Sequence, residues 1–361
     1  MIQESYAGNP LNLKNLEPEK IRRIVIKTAN WLGDAVMTLP AMMAVRETYP
    51  EAHIVVVANR LVAQLLENHP DCDEIIVYDK RGEHAGVFGM LRFAFALRRR
   101  KFDCAILFQY AIEAGVMTFL AGIPRRLGFT TDGRRFLLTH PVPFGVAEKT
   151  IHQTDAFLRI VNHYKINAAE KIQALALLES ERDWAKEQVP EGPIVVINPG
   201  AAYGSAKRWY PERFAAVADF LAKEHGMTAV LIGGPGEVEV GKDIAAVMQA
   251  PVLNFIGKTS VRQMMSLIDA ASLMITNDSG PMHVAAAFNV PIVAIFGPTN
   301  HTTTSPFTDS YRIVRHDVEC APCMLRECPI DHRCMDRVTV DDVVEAVQSF
   351  LLEIESHTPS A

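Results

Sequence analysis

Short β-branched runs alternate with amphipathic stretches along most of this chain, and that alternation restricts the possible folds more than any other feature. Residues 23–29, 53–58, 74–78 and 103–109 are rich in Val, Ile and Ala, as expected of strands buried on both faces of a parallel sheet. The theme returns at 193–198, 228–233, 252–257, 272–277 and 291–297, with helical patterns between. Such a series predicts doubly wound α/β architecture. The chain has 361 residues, more than one hydrophobic core usually organises, so two domains are expected.

The polar segment 179–192 lies between the two series, and its Pro190 and Gly192 interrupt regular structure. The expected division is a polar extension at 1–20, a first domain at 21–188, a second at 189–355 and a tail at 356–361. In open parallel sheets ligands collect at the carboxyl ends of the strands, so two such domains are expected to face each other across a cleft.

Charge and cysteine usage exclude several function classes. A formal net charge of −6 argues against a general nucleic-acid binder, which neutralises phosphates with Lys and Arg. The N-terminal MIQESYAGNP has neither a basic nor an apolar leader region, and no apolar run reaches membrane-spanning length. A cytoplasmic protein is expected. Four of the six cysteines, Cys320, Cys323, Cys328 and Cys334, crowd into one segment with His332. They suit zinc, local disulfides or reduced structural thiols; a chain-wide disulfide framework is excluded.

Several loops carry candidate chemistry. The first strand runs into KTANWLGD, leaving Asp34 near the start of a helix, as a general base or as a helix cap. The loop NPGAAYGSAKRW offers Ser205 and Lys207, a cradle for diphosphate or a solvated loop. After the next strand GGPGE presents Glu237, to ribose hydroxyls or only to a helix dipole. TNDSGPMH passes from strand to helix, so free amides near Asp278, Ser279 and Gly280 suit a diphosphate, with His283 as ligand contact or structural hydrogen-bonder. Arg92, Arg98, Arg99, Arg100 and Lys101 with Arg125, Arg126, Arg134 and Arg135 concentrate positive charge that meets an anionic acceptor, meets anionic lipid in peripheral contact with the inner membrane, or forms solvated helix ends; acceptor contact is expected of Arg125 and Arg126. No loop carries GxGxxG, which disfavours a nicotinamide enzyme.

The segments KTANWLGDAVMTLP, GSAKRWYPERF and TNDSGPMHVAAAFNVPIVAIFGPT are similar to those of glycosyltransferase family 9, the heptosyltransferases, and the likeness runs over about 24–352. NDSG followed by MHVAAA resembles the heptosyltransferase II branch more than heptosyltransferase I. The resemblance implies a GT-B fold, an inverting mechanism and ADP-L-glycero-D-manno-heptose as donor. It implies a heptosyl-Kdo-lipid A inner-core acceptor. It makes Asp34 the base. Lys207, Glu237, Asp278, Ser279, Gly280 and His283 become donor contacts, beside Ser205, which the loop itself offers. No cofactor and no catalytic metal are expected, because Lys207 and a helix N-terminus can replace an ion at the diphosphate. A GT-B nucleotide-sugar epimerase and an inactive ADP-sugar-binding protein are the alternatives. Where many relatives continue GPT or GPS with Asp-Pro or Ser-Pro, this chain has Thr299-Asn300-His301.

Overall fold

The structure, a computed structural model, describes residues 16–357, with side chains through residue 352. Most of the expected N-terminal extension and the last four residues of the tail lie outside the described residues. The chain divides into two compact units, Met1–Ala176 and Leu177–Ala361.

The first unit is built on β1 (Arg23–Lys27), β2 (His53–Ala58), β3 (Glu74–Val77), β4 (Cys104–Leu107), β5 (Arg125–Phe129) and β6 (His140–Val142). They form one sheet in the order β3-β2-β1-β4-β5-β6, parallel throughout. Val25, Val55, Ala105 and Leu107 bury one face against Phe93, Leu97 and Met117, the apolar stripes of two covering helices.

The second unit repeats the plan with β7 (Ile194–Asn198), β8 (Thr228–Leu231), β9 (Val252–Asn254), β10 (Leu273–Asn277), β11 (Ile292–Ile295) and β12 (Tyr311–Val314). The order is β12-β11-β10-β7-β8-β9, again all parallel. Its core joins Val195, Ile197, Ile275 and Val293 to Trp209, Phe214 and Leu221. The helix Pro211–His225 opens with Pro at its first position and closes on Gly226 at φ 63°, the usual asymmetry of helix ends.

In both units the chain winds outward through three strands and then returns to the other side of the first. The strand order therefore reverses between β1 and β4 and between β7 and β10. At such points neighbouring loops diverge and leave room for a ligand.

Nine of the twelve strands stand where the sequence pattern puts them. β5 reads RRLGF, β6 is only HPV and β12 reads YRIV, so charge, glycine, proline or brevity hides their strand character. The division falls at residue 176 rather than 188. Residues 179–188, read above as the end of the first unit, form the helix Glu179–Gln188. It is tied to the second unit by Glu181 to Arg262 and by Arg182 to Asp269 at 2.8 Å. Among the described residues, no helix is long and apolar enough to cross a membrane.

Candidate functional site

Asp34 sits just past the carboxyl end of β1, in the helix Leu32–Met37. That helix starts two residues earlier than the sequence suggested. Its N-cap is Trp31, which makes no side-chain cap, and Asp34 is the third helical residue. Asp34 is therefore not the N-cap of this helix. Half-buried at the switch point, it lies close enough to Tyr110 to act on its phenol. Burial is the larger cause pushing the Tyr110 pKa up; Asp34 adds to it. Gln153 Nε2 donates to Tyr110 Oη at 2.5 Å, and the Thr131 hydroxyl donates to the Tyr110 carbonyl at 2.7 Å.

Lys27, the last residue of β1, is 2% exposed. Its Nζ donates to the Thr28 carbonyl at 3.1 Å and to Asn30 Oδ1 at 3.3 Å. Desolvation lowers its pKa from the ordinary 10.5 to about 8, against a smaller opposing pull from Glu113 and with a further push down from Lys80. A strongly perturbed amine at the ligand end of a parallel sheet is a candidate site residue. Nothing in the sequence marks it as one, because a lysine ending a strand ordinarily reaches solvent.

The lowered pKa has a measurable sign. Between pH 8 and 10.5 the unfolded chain holds a proton on Lys27 that the folded chain has lost, so folded stability rises with pH across this window. Below it the whole desolvation penalty stands, about 3 kcal/mol. Lys27→Met is expected to raise the urea midpoint at pH 7, and the advantage over the parent should shrink above pH 8. An unchanged or lowered midpoint at pH 7 would refute the burial argument.

Arg125 and Arg126 stand elsewhere than expected. They open β5, and Arg125 pairs with Cys104 at the start of β4, whereas Asp34 follows the finish of β1. Four strand steps, roughly 13 Å, separate the two ends of the sheet. Arg125 Nη1 donates to the Asp103 carbonyl at 3.3 Å. Arg126 Nε donates to the Leu137 carbonyl at 2.6 Å, its Nη1 to the Ile123 carbonyl, and its guanidinium stacks on Phe119 at 5.4 Å. These bonds tether both side chains at the end of the sheet away from Asp34, where a structural role fits better than acceptor contact. Arg126→Gln is expected to lower stability by about 2 kcal/mol in thermal unfolding. Its Michaelis constant for acceptor should stay within about twofold of the parent's; a tenfold rise in a stable variant would restore the assignment.

The second unit gathers its candidates at its own switch point. Lys207 Nζ donates to Asp278 Oδ2 at 2.5 Å, and the Thr299 hydroxyl donates to the same oxygen at 2.6 Å. Asp278 is buried, and these two donors, not solvent, satisfy its Oδ2. The helix Gly280–Ala287 begins after Ser279, which caps it by position but supplies no side-chain cap. The Ser279 hydroxyl instead accepts from Asn198 Nδ2 at 2.7 Å. The first-turn amides thus keep their donors for an anion. His283, at 3% exposure, lies in the packed side of the same helix, where a structural role fits better than ligand contact.

Asn277 ties this turn to the Lys207 loop: its Nδ2 donates to the Pro199 carbonyl at 2.7 Å, and its Oδ1 accepts from the Trp209 amide at 3.1 Å. Trp209 packs in the core, with Nε1 donating to the Val338 carbonyl at 2.9 Å. Ser205 stays exposed at the head of a single 3-10 turn. Glu237 accepts from the Gly234 amide at 2.8 Å through one carboxylate oxygen. Its side chain covers Gly200, where an added Cβ would collide with the carboxylate.

The cysteine-rich segment buttresses that same loop. His332 Nε2 donates to the Ala206 carbonyl at 2.7 Å, and the Ala206 amide donates to the Arg326 carbonyl at 3.0 Å. Tyr203 Oη donates to the Met324 carbonyl at 2.7 Å, with Lys207 and Arg326 over the Tyr203 ring. All six cysteines are unpaired thiols. Among the described residues, no three His, Cys, Asp or Glu side chains converge as a metal-binding set.

Residues 90–333 match the family model of glycosyltransferase family 9 (heptosyltransferase). The chain is 30% identical over 341 residues to lipooligosaccharide heptosyltransferase 2 of Campylobacter jejuni, covering 91% of this chain and 98% of that one. Among solved structures it is similar to a family 9 glycosyl transferase from Veillonella parvula, with TM-score 0.83, 26% identity and coverage of 92% and 98%. It is also similar to Escherichia coli ADP-heptose lps heptosyltransferase II, with TM-score 0.78, 27% identity and coverage of 92% and 99%.

Proposed function

We infer from a chain that belongs to glycosyltransferase family 9, the heptosyltransferases, that its reaction is heptosyl transfer from ADP-L-glycero-D-manno-heptose to heptosyl-Kdo-lipid A in lipopolysaccharide inner-core synthesis. The observation that carries the donor assignment is the Lys207–Asp278 pair beside the uncapped first turn of Gly280–Ala287. A fixed ammonium and free amides directed at one place suit a diphosphate leaving group.

In this reading Asp34 takes the proton of an acceptor hydroxyl as that oxygen attacks the anomeric carbon of the heptose. The bond from that carbon to the diphosphate breaks, and ADP leaves with the electron pair. A single displacement of this kind inverts the anomeric centre. Lys207 and the amides after Ser279 stabilise the charge that grows on the diphosphate. Ser205 and Glu237 flank the nucleotide sugar, the latter through the carboxylate oxygen not used on Gly234. Asp278 and Thr299 are positioning residues, acting through Lys207.

Lys207 and the helix terminus supply the positive potential that a divalent ion provides in other transferases. Transfer is accordingly expected to proceed unchanged in EDTA. Loss of turnover in EDTA with recovery on added magnesium would overturn this.

The acceptor is lipid-borne, so the reading puts the enzyme in the cytoplasm with peripheral contact at the cytoplasmic face of the inner membrane. Its direct test is incubation with ADP-heptose and Kdo-lipid acceptors bearing zero, one or two heptoses, with products read by mass. The expected result is one heptose added to the mono-heptosyl acceptor. Addition only to the acceptor without heptose would reassign the enzyme to the preceding transfer, and consumption of donor without any acceptor would overturn the transferase reading.

A further inference from the structure

The helix Gly86–Arg99 buries Phe93, Ala94 and Leu97 on its inner side, as a helix covering a sheet must. Its outer side should then be polar, and it is not. Phe88 is 87% exposed and Phe95 is 51% exposed. Arg92 and Arg99 follow each phenylalanine by four residues, so all four share one face at helical spacing. The outer stripe therefore alternates aromatic ring and guanidinium over three turns.

The charge around the stripe runs against that of the whole chain. Residues 84–147 contain nine Lys and Arg and three Asp and Glu, a local balance of 9 − 3 = +6 in a chain of −6. No acidic residue occurs from 84 to 102. Arg92 has Glu83 at 3.8 Å, while Arg98 and Arg99 make no ion pair among the described residues. The neighbouring helix Ile112–Leu120 exposes Phe119. The Arg98 side chain reaches to 3.8 Å of a Cβ placed on Gly122, just past that helix. The two C-terminal turns thus sit together and widen the apolar, basic surface.

We propose that this face, centred on Phe88, Arg92, Phe95 and Arg99, docks the enzyme on an anionic lipid bilayer. A helix lying in a membrane interface sinks aromatic side chains into the acyl boundary while Arg and Lys meet the headgroups. An anionic leaflet supplies the complement to a surface on which Glu83, beside Arg92, is the nearby acid and Arg98 and Arg99 make no ion pair among the described residues. A second copy of the chain presenting the same face would set arginine against arginine. The proposal deepens the transferase reading, on which it rests for its biological reason: an enzyme whose acceptor is a lipid gains by sharing its surface.

The test is flotation of the whole protein with vesicles of phosphatidylglycerol and phosphatidylethanolamine, and with vesicles of phosphatidylcholine alone. Binding is expected only to the anionic vesicles, and it should weaken with added salt. Phe88→Ser with Phe95→Ser should lower partitioning by about tenfold or more. Arg98→Gln with Arg99→Gln should lower it by about tenfold or more. Both pairs are exposed, so melting temperature and turnover on a soluble, lipid-free heptosyl-Kdo acceptor should match the parent's. Absence of parent binding to anionic vesicles, equal binding to phosphatidylcholine, or parental binding by both paired variants would overturn the proposal. So would a Phe88/Phe95 variant that only changes oligomeric state. Stripe-dependent vesicle binding by a protein inactive on every heptose acceptor would leave the surface standing and remove the transferase reading instead.

Discussion

Asp34→Asn is expected to lower kcat by two to four orders of magnitude, roughly the contribution of one positioned general base, while ADP affinity stays within about twofold. The asymmetry follows from what the carboxylate is proposed to touch. Its work is on the acceptor hydroxyl in the transition state, so kcat and kcat/KM should fall together. ADP contacts belong to the Lys207 loop and the turn after β10. The substitution keeps shape at the third residue of the helix Leu32–Met37. The favourable interaction of a carboxylate with the helix N-terminus is lost, about 0.3–1 kcal/mol, by itself too little to unfold the protein. Calorimetric ADP titration beside a steady-state transfer assay reads both quantities. Turnover within about tenfold of the parent's would remove Asp34 from the chemistry, and a parallel collapse of ADP binding would show a structural lesion.

How legible this was in the sequence differs between the frame and the site. Parallel strands buried on both faces announce themselves by continuous apolar runs, so β1, β2, β4, β7 and β10 were readable, and with them both switch points. β5 was not, because RRLGF begins with two arginines whose stems pack while their guanidinium groups bond carbonyls. That one missed strand is why Arg125 and Arg126 looked like solvent-facing anion receptors. The Asp34 loop was legible as a location but not as a conformation: an Asp after a Gly looks like a cap, yet the helix had already begun at Leu32. Lys27 was invisible because nothing local in IVIKTAN says that the amine stays under the surface. The cysteine cluster shows a different gap. Spacing suited zinc, local disulfides or reduced thiols alike, whereas His332, Arg326 and Met324 of the segment bond the backbone and Tyr203 of the Lys207 loop, contacts that spacing does not reveal.

The Lys207–Asp278 pair was the least legible feature, since its partners stand 71 residues apart, and it allows structure and function to be separated by experiment. Lys207→Met leaves Asp278 buried with only the Thr299 hydroxyl on that oxygen. Removing one partner of a buried pair strands the other charge, so unfolding free energy should fall by about 3 kcal/mol. Turnover should fall by about 10²–10³, the range for one lost donor to developing charge. Lys207→Met combined with Asp278→Asn neutralises both partners. If the pair's structural role is mutual neutralisation, the double variant recovers most of the lost stability. If Lys207 also meets the diphosphate, turnover and ADP affinity stay low in the same variant, because no second charge replaces the ammonium. Denaturant titration and ADP calorimetry on the two variants and the parent make the comparison. Recovery of ADP affinity together with stability would mean that Lys207 only holds the turn in place, and the diphosphate would then rest on the amides of Gly280–Ala287 alone.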